Sequence, residues 1–230
     1  MDSPVSMSIE DMTMVIPGEI GRISIDMNGQ PRSLDAHVQD ARHTLVRNIL
    51  RDAYVPIVMS NIWINEDGLG EGCKTCLKFD LVHGDISRAC IVTANGPIEA
   101  AFDGIRDTLQ GRYASLRGVR LTEFTTRVIE RMRASDRDGI VHDQIAIIST
   151  VEMPTTFRII VEERSTSILR ASLRCILRTF EFITNAEHAV RVTRTALADA
   201  LGRGRHDLAD AYTRELIELS HIVMCDDIRE

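Results

Sequence analysis

The chain has 230 residues and 27 Lys and Arg against 34 Asp and Glu, a net charge of −7. That balance, with cations scattered among carboxylates, excludes the basic footprint of a nucleic-acid partner. Its five cysteines are an odd number spread along the sequence, which fits a reduced interior better than a disulfide framework. No apolar run approaches the roughly 18 residues of a membrane span, and the N-terminus lacks a basic segment followed by a long apolar one, so the expectation is a cytoplasmic chain with no membrane partner.

Residues 1–54 read as an N-terminal arm followed by a helix. The arm is Met-rich and weakly periodic, with Ile23 and Ile25 alternating before Asn28-Gly29, and such a segment suits pairing with another subunit. From Ser33, a capping type, Leu34, Val38, Ala41, Leu45 and Ile49 recur at helical spacing as far as Asp52. Pro56 closes this region. A strand follows, in which Ile62 and Ile64 alternate before the loop Glu66–Gly72.

Residues 55–183 read as an α+β core of two pseudo-symmetric ββ(β)α repeats. Leu77, Phe79 and Leu81 alternate with polar neighbours before His83-Gly84-Asp85, as a half-buried hairpin requires. A helix then starts at Asn95-Gly96-Pro97, where Asn or Gly caps, Pro suits the first helical position and Glu99 favours the positive end. Its core face is Ile98, Ala101, Phe102, Ile105 and Leu109. Adding 70 carries Arg88 onto Arg158, Ile98 onto Ile168 and Ala101 onto Ala171, the basis for a second copy. That copy opens near Val119 with a parity change at Phe124 that a bulge near Glu123 explains. Strands follow at 144–152 and 156–162, then a helix capped by Ser165 or Thr166.

This second helix is apolar on most of its circumference, with Leu169, Leu173, Ile176 and Phe180, so a homodimer is expected to cover what one sheet cannot. Residues 184–230 read as a helical hairpin, 186–201 and 206–224, parted by Gly202-Arg203-Gly204.

Cys73 and Cys76 form a CxxC without a second ligand pair, so packing outweighs a metal site, and no cofactor is expected. His142, Asp143 and Glu163 with Arg158 form the one polar set suited to acid–base work, and charge on a solvated sheet face accounts for it better. Arg137–Gly139 reads as a turn.

The stretch NGPIEAAFDGI, Asn95–Ile105, and the later TSILRASLRCIL, Thr166–Leu177, resemble the two repeat openings of the C-terminal regulatory domain of 2-isopropylmalate synthase and citramalate synthase. Ala94 stands where that family has Gly, and Glu99 where it has Asp. The resemblance covers about residues 73–182 and implies a dimeric βββα-repeat domain that binds leucine or isoleucine between its two helices. Carried onto this sequence, it implies a ligand site at Asn95, Gly96, Pro97, Ile98, Ala100 and Ala101 in the first copy and Ser165, Thr166, Ile168 and Ala171 in the second.

Two free helix N-termini suit a carboxylate, small alanines leave room, and isoleucines suit an apolar side chain. The chain has no room for the family's catalytic barrel of ~250 residues. Expected partners are therefore a branched-chain amino acid or other small carboxylate, a second copy, and a separate barrel synthase on which the domain acts in trans. The alternative is a stand-alone enzyme that reuses the pocket for a specialised metabolite.

Overall fold

A computed structural model describes residues 34–68, 70, 72–132, 142–152, 158–220 and 222. The expected arm, the Arg137–Gly139 turn and Cys225 lie outside the described residues. Contacts divide the chain into residues 1–41 and 42–230. Helix α1, Leu34–Leu50, begins in the first unit and ends in the second, and the architecture that follows is that of the second.

The class is α+β. Strands β1 (Ile57–Glu66), β2 (Thr75–His83) and β3 (Ile86–Ala94) form one antiparallel sheet in the order β1-β2-β3, and helix α2 (Pro97–Leu109) follows. Strands β4 (Arg120–Met132), β5 (His142–Glu152) and β6 (Arg158–Ser165) form a second, in the order β4-β5-β6, and helix α3 (Ile168–Gly202) follows. Helix α4 (His206–Ser220) ends the described chain apart from Ile222.

On β2 the alternation is strict: Leu77, Phe79 and Leu81 are buried while Lys78 and Val82 face outward. A two-residue loop, Gly84-Asp85, joins β2 to β3, with His83 opposite Ile86. Gly84 supplies its φ of +60°, which a type II′ hairpin turn needs at its first position. The expected alternation of Ile62 with Ile64 is interrupted on β1. Asn61 takes a φ of +51° and the pairing slips between Ser60 and Trp63, so Ile64 packs on the core while Ile62 and Trp63 are exposed. A bulge resets which face a strand presents.

Helix α2 buries Ala100, Ala101, Phe102, Gly104, Ile105 and Leu109 against β2 and β3. Gly104 makes that approach close: a Cβ there would lie 2.8 Å from Val92 Cγ2 and 2.9 Å from Phe79 Cζ. In the second sheet the β4–β5 register slips between Leu121 and Glu123, where the sequence changes parity, and again between Val128 and Glu130.

At α3 the structure differs from the expected helical hairpin. The helix runs 35 residues without a break, about 52 Å at 1.5 Å per residue, so the division at 183/184 falls inside it. No Gly or Pro interrupts 168–201, and Phe182, Ile183, Ala186, Ala189 and Val190 stay buried through the expected gap. Of the apolar residues around this helix, Leu173, Ile176 and Phe180 are buried within the chain, where α3 packs on β5, β6, α2, β1 and α4, while Leu169 is 37% exposed. After Gly202, Gly204 at φ +67° turns the chain, and α4 packs back on α3 with Ala209 and Leu219 buried. No described helix is long and apolar enough to cross a membrane.

Candidate functional site

Gly96 is the N-cap of α2, with extended backbone, and Pro97 is its first helical residue. Glu99 folds back over this end. Its Oε2 accepts from the Asn95 amide at 3.1 Å and from Asn95 Nδ2 at 2.9 Å. Lys74 Nζ donates to Asn95 Oδ1 at 2.5 Å, and Lys74 is held by its own amide donating to Asp67 Oδ1 at 2.6 Å. The chain's own carboxylate thus already satisfies donors just ahead of α2, beside a cation, as the positive end of a helix favours.

At α3 the cap is Ser167, not Ser165 or Thr166. Ser167 Oγ accepts from the Arg170 amide at 3.3 Å, and the Ser167 amide donates to Ser165 Oγ at 3.2 Å. Ser165 still belongs to β6, so the helix can start only two residues later. Thr166 is exposed, and Ile168 is 53% exposed.

The alanines expected to leave room are packed. Ala100, Ala101 and Ala171 are each 0% exposed, and Ile98 lies partly buried against the core. Nor do the two caps meet through the α2–α3 contact. Phe102, on the second turn of α2, meets Phe180 with ring centroids 5.0 Å apart, and Phe180 lies twelve residues, about 18 Å of helix, beyond Ile168. Of the expected residues, the fold gathers Asn95, Gly96 and Pro97 with Lys74 and Glu99.

The most heavily bonded polar groups sit in the middle of α3. Glu181 accepts from the Tyr54 hydroxyl at 2.8 Å and the Ile57 amide at 3.0 Å. Asn185 accepts from the Val55 amide at 2.9 Å and donates to the Val55 carbonyl at 2.8 Å, pairing with the chain ahead of β1 as a strand would. Nearby, His83 and Tyr113 are buried and joined at 2.8 Å. Because His83 Nδ1 faces the Pro56 carbonyl at 3.3 Å, which can only accept, Nδ1 carries the proton and Nε2 accepts from the tyrosine.

Burial pushes the His83 pKa down and those of Tyr54 and Tyr113 up, the Glu181 carboxylate adding to the shift at Tyr54. All of these bonds run between parts of the fold. Their chemistry is that of staples. Sequence reading missed them, although Glu181, Asn185 and Glu187 interrupt an otherwise apolar run at spacings of four and two, the one local signal they give.

Of the acid–base set, Glu163 is buried and paired with Arg178 Nη1 of α3 at 2.5 Å. The side chains of His142, Asp143 and Arg158 lie outside the described residues. Cys73 and Cys76 are half-buried free thiols. Among the described residues no group of three His, Cys, Asp or Glu side chains is placed to hold a metal. No protein-family model matches the sequence, and no curated protein matches it.

Proposed function

We propose that the chain is a small-molecule-binding module of two βββα repeats, similar to the leucine-sensing domain of 2-isopropylmalate synthase. It takes an amino acid or small carboxylate at the start of α2 and acts in trans on a separate barrel synthase.

The observation that carries this reading is a match in burial. Adding 71 moves the buried face of α2, Ala100, Ala101, Phe102, Gly104, Ile105 and Leu109, onto Ala171, Ser172, Leu173, Cys175, Ile176 and Phe180, all buried on α3. Thr108 donates to the Gly104 carbonyl at 2.7 Å, and 71 residues later Thr179 donates to the Cys175 carbonyl at 2.9 Å. The shift of 70 read from sequence would carry buried Cys90 onto half-buried Ile160, whereas 71 carries it onto buried Val161. The pair Leu77–Val92 of the first hairpin answers to Ile147–Glu163 of the second, a shift of 70 on the first strand and 71 on the next, so the extra residue lies in the β5–β6 connection, and a one-residue slip exchanges the faces of a strand.

The ligand end of the reading rests on Glu99. On this reading a ligand carboxylate would take the place of the Glu99 carboxylate, which accepts from the backbone and side-chain amides of Asn95 while Lys74 donates to Asn95 Oδ1. Binding exchanges one carboxylate for the other. The enzyme alternative finds less support, because the perturbed pair His83 and Tyr113 lies below the surface and is bonded internally.

Thermal unfolding with leucine, isoleucine, valine and their 2-keto acids tests the proposal. A true ligand at ~100 times its Kd stabilises the fold by about 2.7 kcal/mol, a Tm rise of roughly 5 to 10 °C at this size. Glu99→Ala should tighten binding by removing the competitor, and Lys74→Ala should weaken it. Unmoved curves with all six compounds sink the sensor reading.

A further inference from the structure

Sheet β1-β2-β3 buries one face under α2, and among the described residues the other is left open. The open face carries two cross-strand rows. Trp63, Lys78 and Ile91 lie side by side, and two residues along β2 lie Ser60, Asp80 and Ala89. The first row is bulky and apolar apart from Lys78, whose ammonium sits 4.7 Å from the centre of the Trp63 ring. The second is small. Ile91 is 70% exposed and Trp63 49%, with Val58 and Val82 exposed further along, an apolar patch of the kind that marks an interaction site.

We infer that this face docks on the same face of a second copy, with β2 antiparallel over β2 about a two-fold axis that crosses the strands above Phe79. The face is self-complementary in charge. Its central strand presents one cation and one anion two residues apart, Lys78 and Asp80, and the axis sets each Lys78 over the partner's Asp80. It is self-complementary in size as well: Ile91 falls over the partner's Ala89, and Trp63 over the partner's Ser60. In an isologous contact residue i meets j and j meets i, so a face composed this way closes on itself as a dimer. Sheets packed face to face lie about 10 Å apart and about 30° off parallel, a gap that bulky-on-small rows fill without voids. This surface is independent of the ligand reading at α2.

Trp63 is the chain's only tryptophan, so its emission reports on the face directly. Sedimentation of the full chain between 1 and 100 µM should give twice the 25.8 kDa of one chain at the upper end, with emission shifting to the red on dilution. Ile91→Glu should give a folded monomer with red emission at every concentration. Lys78→Asp alone and Asp80→Lys alone, which set like charges together, should each weaken the dimer at least about tenfold, and Lys78→Asp with Asp80→Lys should restore it.

Three results overturn the inference. One is a wild-type monomer at 100 µM. Another is a dimer indifferent to Ile91→Glu and to the single charge reversals, which uses another surface. The third is a monomer whose Trp63 emission is blue at every dilution, the sign that the chain's own residues cover the face.

Discussion

Ser115 gives both its amide and its hydroxyl to one oxygen of Glu187, at 3.1 and 2.6 Å, across 72 residues of sequence. The short 3-10 turn Ala114–Leu116, which leads from α2 toward β4, is thereby fastened to the middle of α3. Both residues are buried, and the other carboxylate oxygen lies 3.5 Å from Arg191.

Removing that carboxylate strands two buried donors. Hydrogen bonds to a charged acceptor contribute about 1.5 to 3 kcal/mol, and an orphaned buried donor costs about as much. Glu187→Ala should therefore lower unfolding stability by about 2 to 4 kcal/mol in urea titrations, and Glu187→Gln, which keeps an acceptor oxygen, by clearly less. Equal losses for the two variants would show that side-chain volume matters here and the bonds do not.

Gly104 gives a second, opposite kind of sensitivity. Alanine improves an exposed helix interior by about 1 kcal/mol over glycine, but here the added Cβ would stand 2.8 Å from Val92 and 2.9 Å from Phe79. Overpacking costs about 1 to 3 kcal/mol, so Gly104→Ala should destabilise in denaturant titrations. Gly96→Ala, whose Cβ would meet nothing within 4 Å at an extended φ of −171°, should change stability by under about 1 kcal/mol. A stabilised Gly104→Ala would mean that α2 and the sheet can part freely.

These two sites mark where local pattern suffices and where it does not. The β2–β3 hairpin and α2 were legible because everything that sets them is local: alternation at Leu77, Phe79 and Leu81, a glycine at the turn, a proline at the first helical position. The continuity of α3 was not. Half-buried Glu181 and buried Asn185 and Glu187 interrupt the apolar run, and partners 72 to 130 residues away make their positions tolerable.

The bulge at Asn61 turns on a single positive φ, which no periodicity announces. At the candidate site, Asn95-Gly96-Pro97 was legible as a helix start. The retraction of Glu99 over it was not, since Glu at that position fits both a capping carboxylate and a free one. The expected cap is Ser165 or Thr166; Ser167 beside them is also of capping type, and the end of β6 at Ser165 moves the helix start to it.

Acid should loosen the fold through His83. Burial holds its folded-state pKa below the ordinary 6.5, so the unfolded chain takes up a proton that the folded chain refuses. Stability is then complete above the unfolded value and is lost as pH falls through about 6.5 toward the folded one. His188 shifts the same way, from burial and from Arg191 and Arg112 beside it. Urea midpoints should fall between pH 7.5 and 5.5, and the fall should shrink when both histidines become glutamine. An unchanged slope in that double variant would assign the pH dependence to other groups.

Ala101 and Ala171 test whether the helix openings hold space or packing. Sequence reading expects room there for a ligand's side chain, in which case leucine would fill a cleft and leave the unliganded fold nearly as stable. Both residues are 0% exposed, on helix faces pressed against their own sheets. Enlarging a packed position costs about 1 to 3 kcal/mol, so Ala101→Leu and Ala171→Leu should each lower Tm by roughly 3 to 10 °C at this chain length. Thr166→Leu, at an exposed position one residue before the α3 cap, should leave Tm within a degree or two and serves as the control for added apolar surface. If the two alanine variants melt with the wild type instead, the helices must part to admit bulk, and a cleft that opens on demand would extend the proposed ligand site from the start of α2 to these alanines.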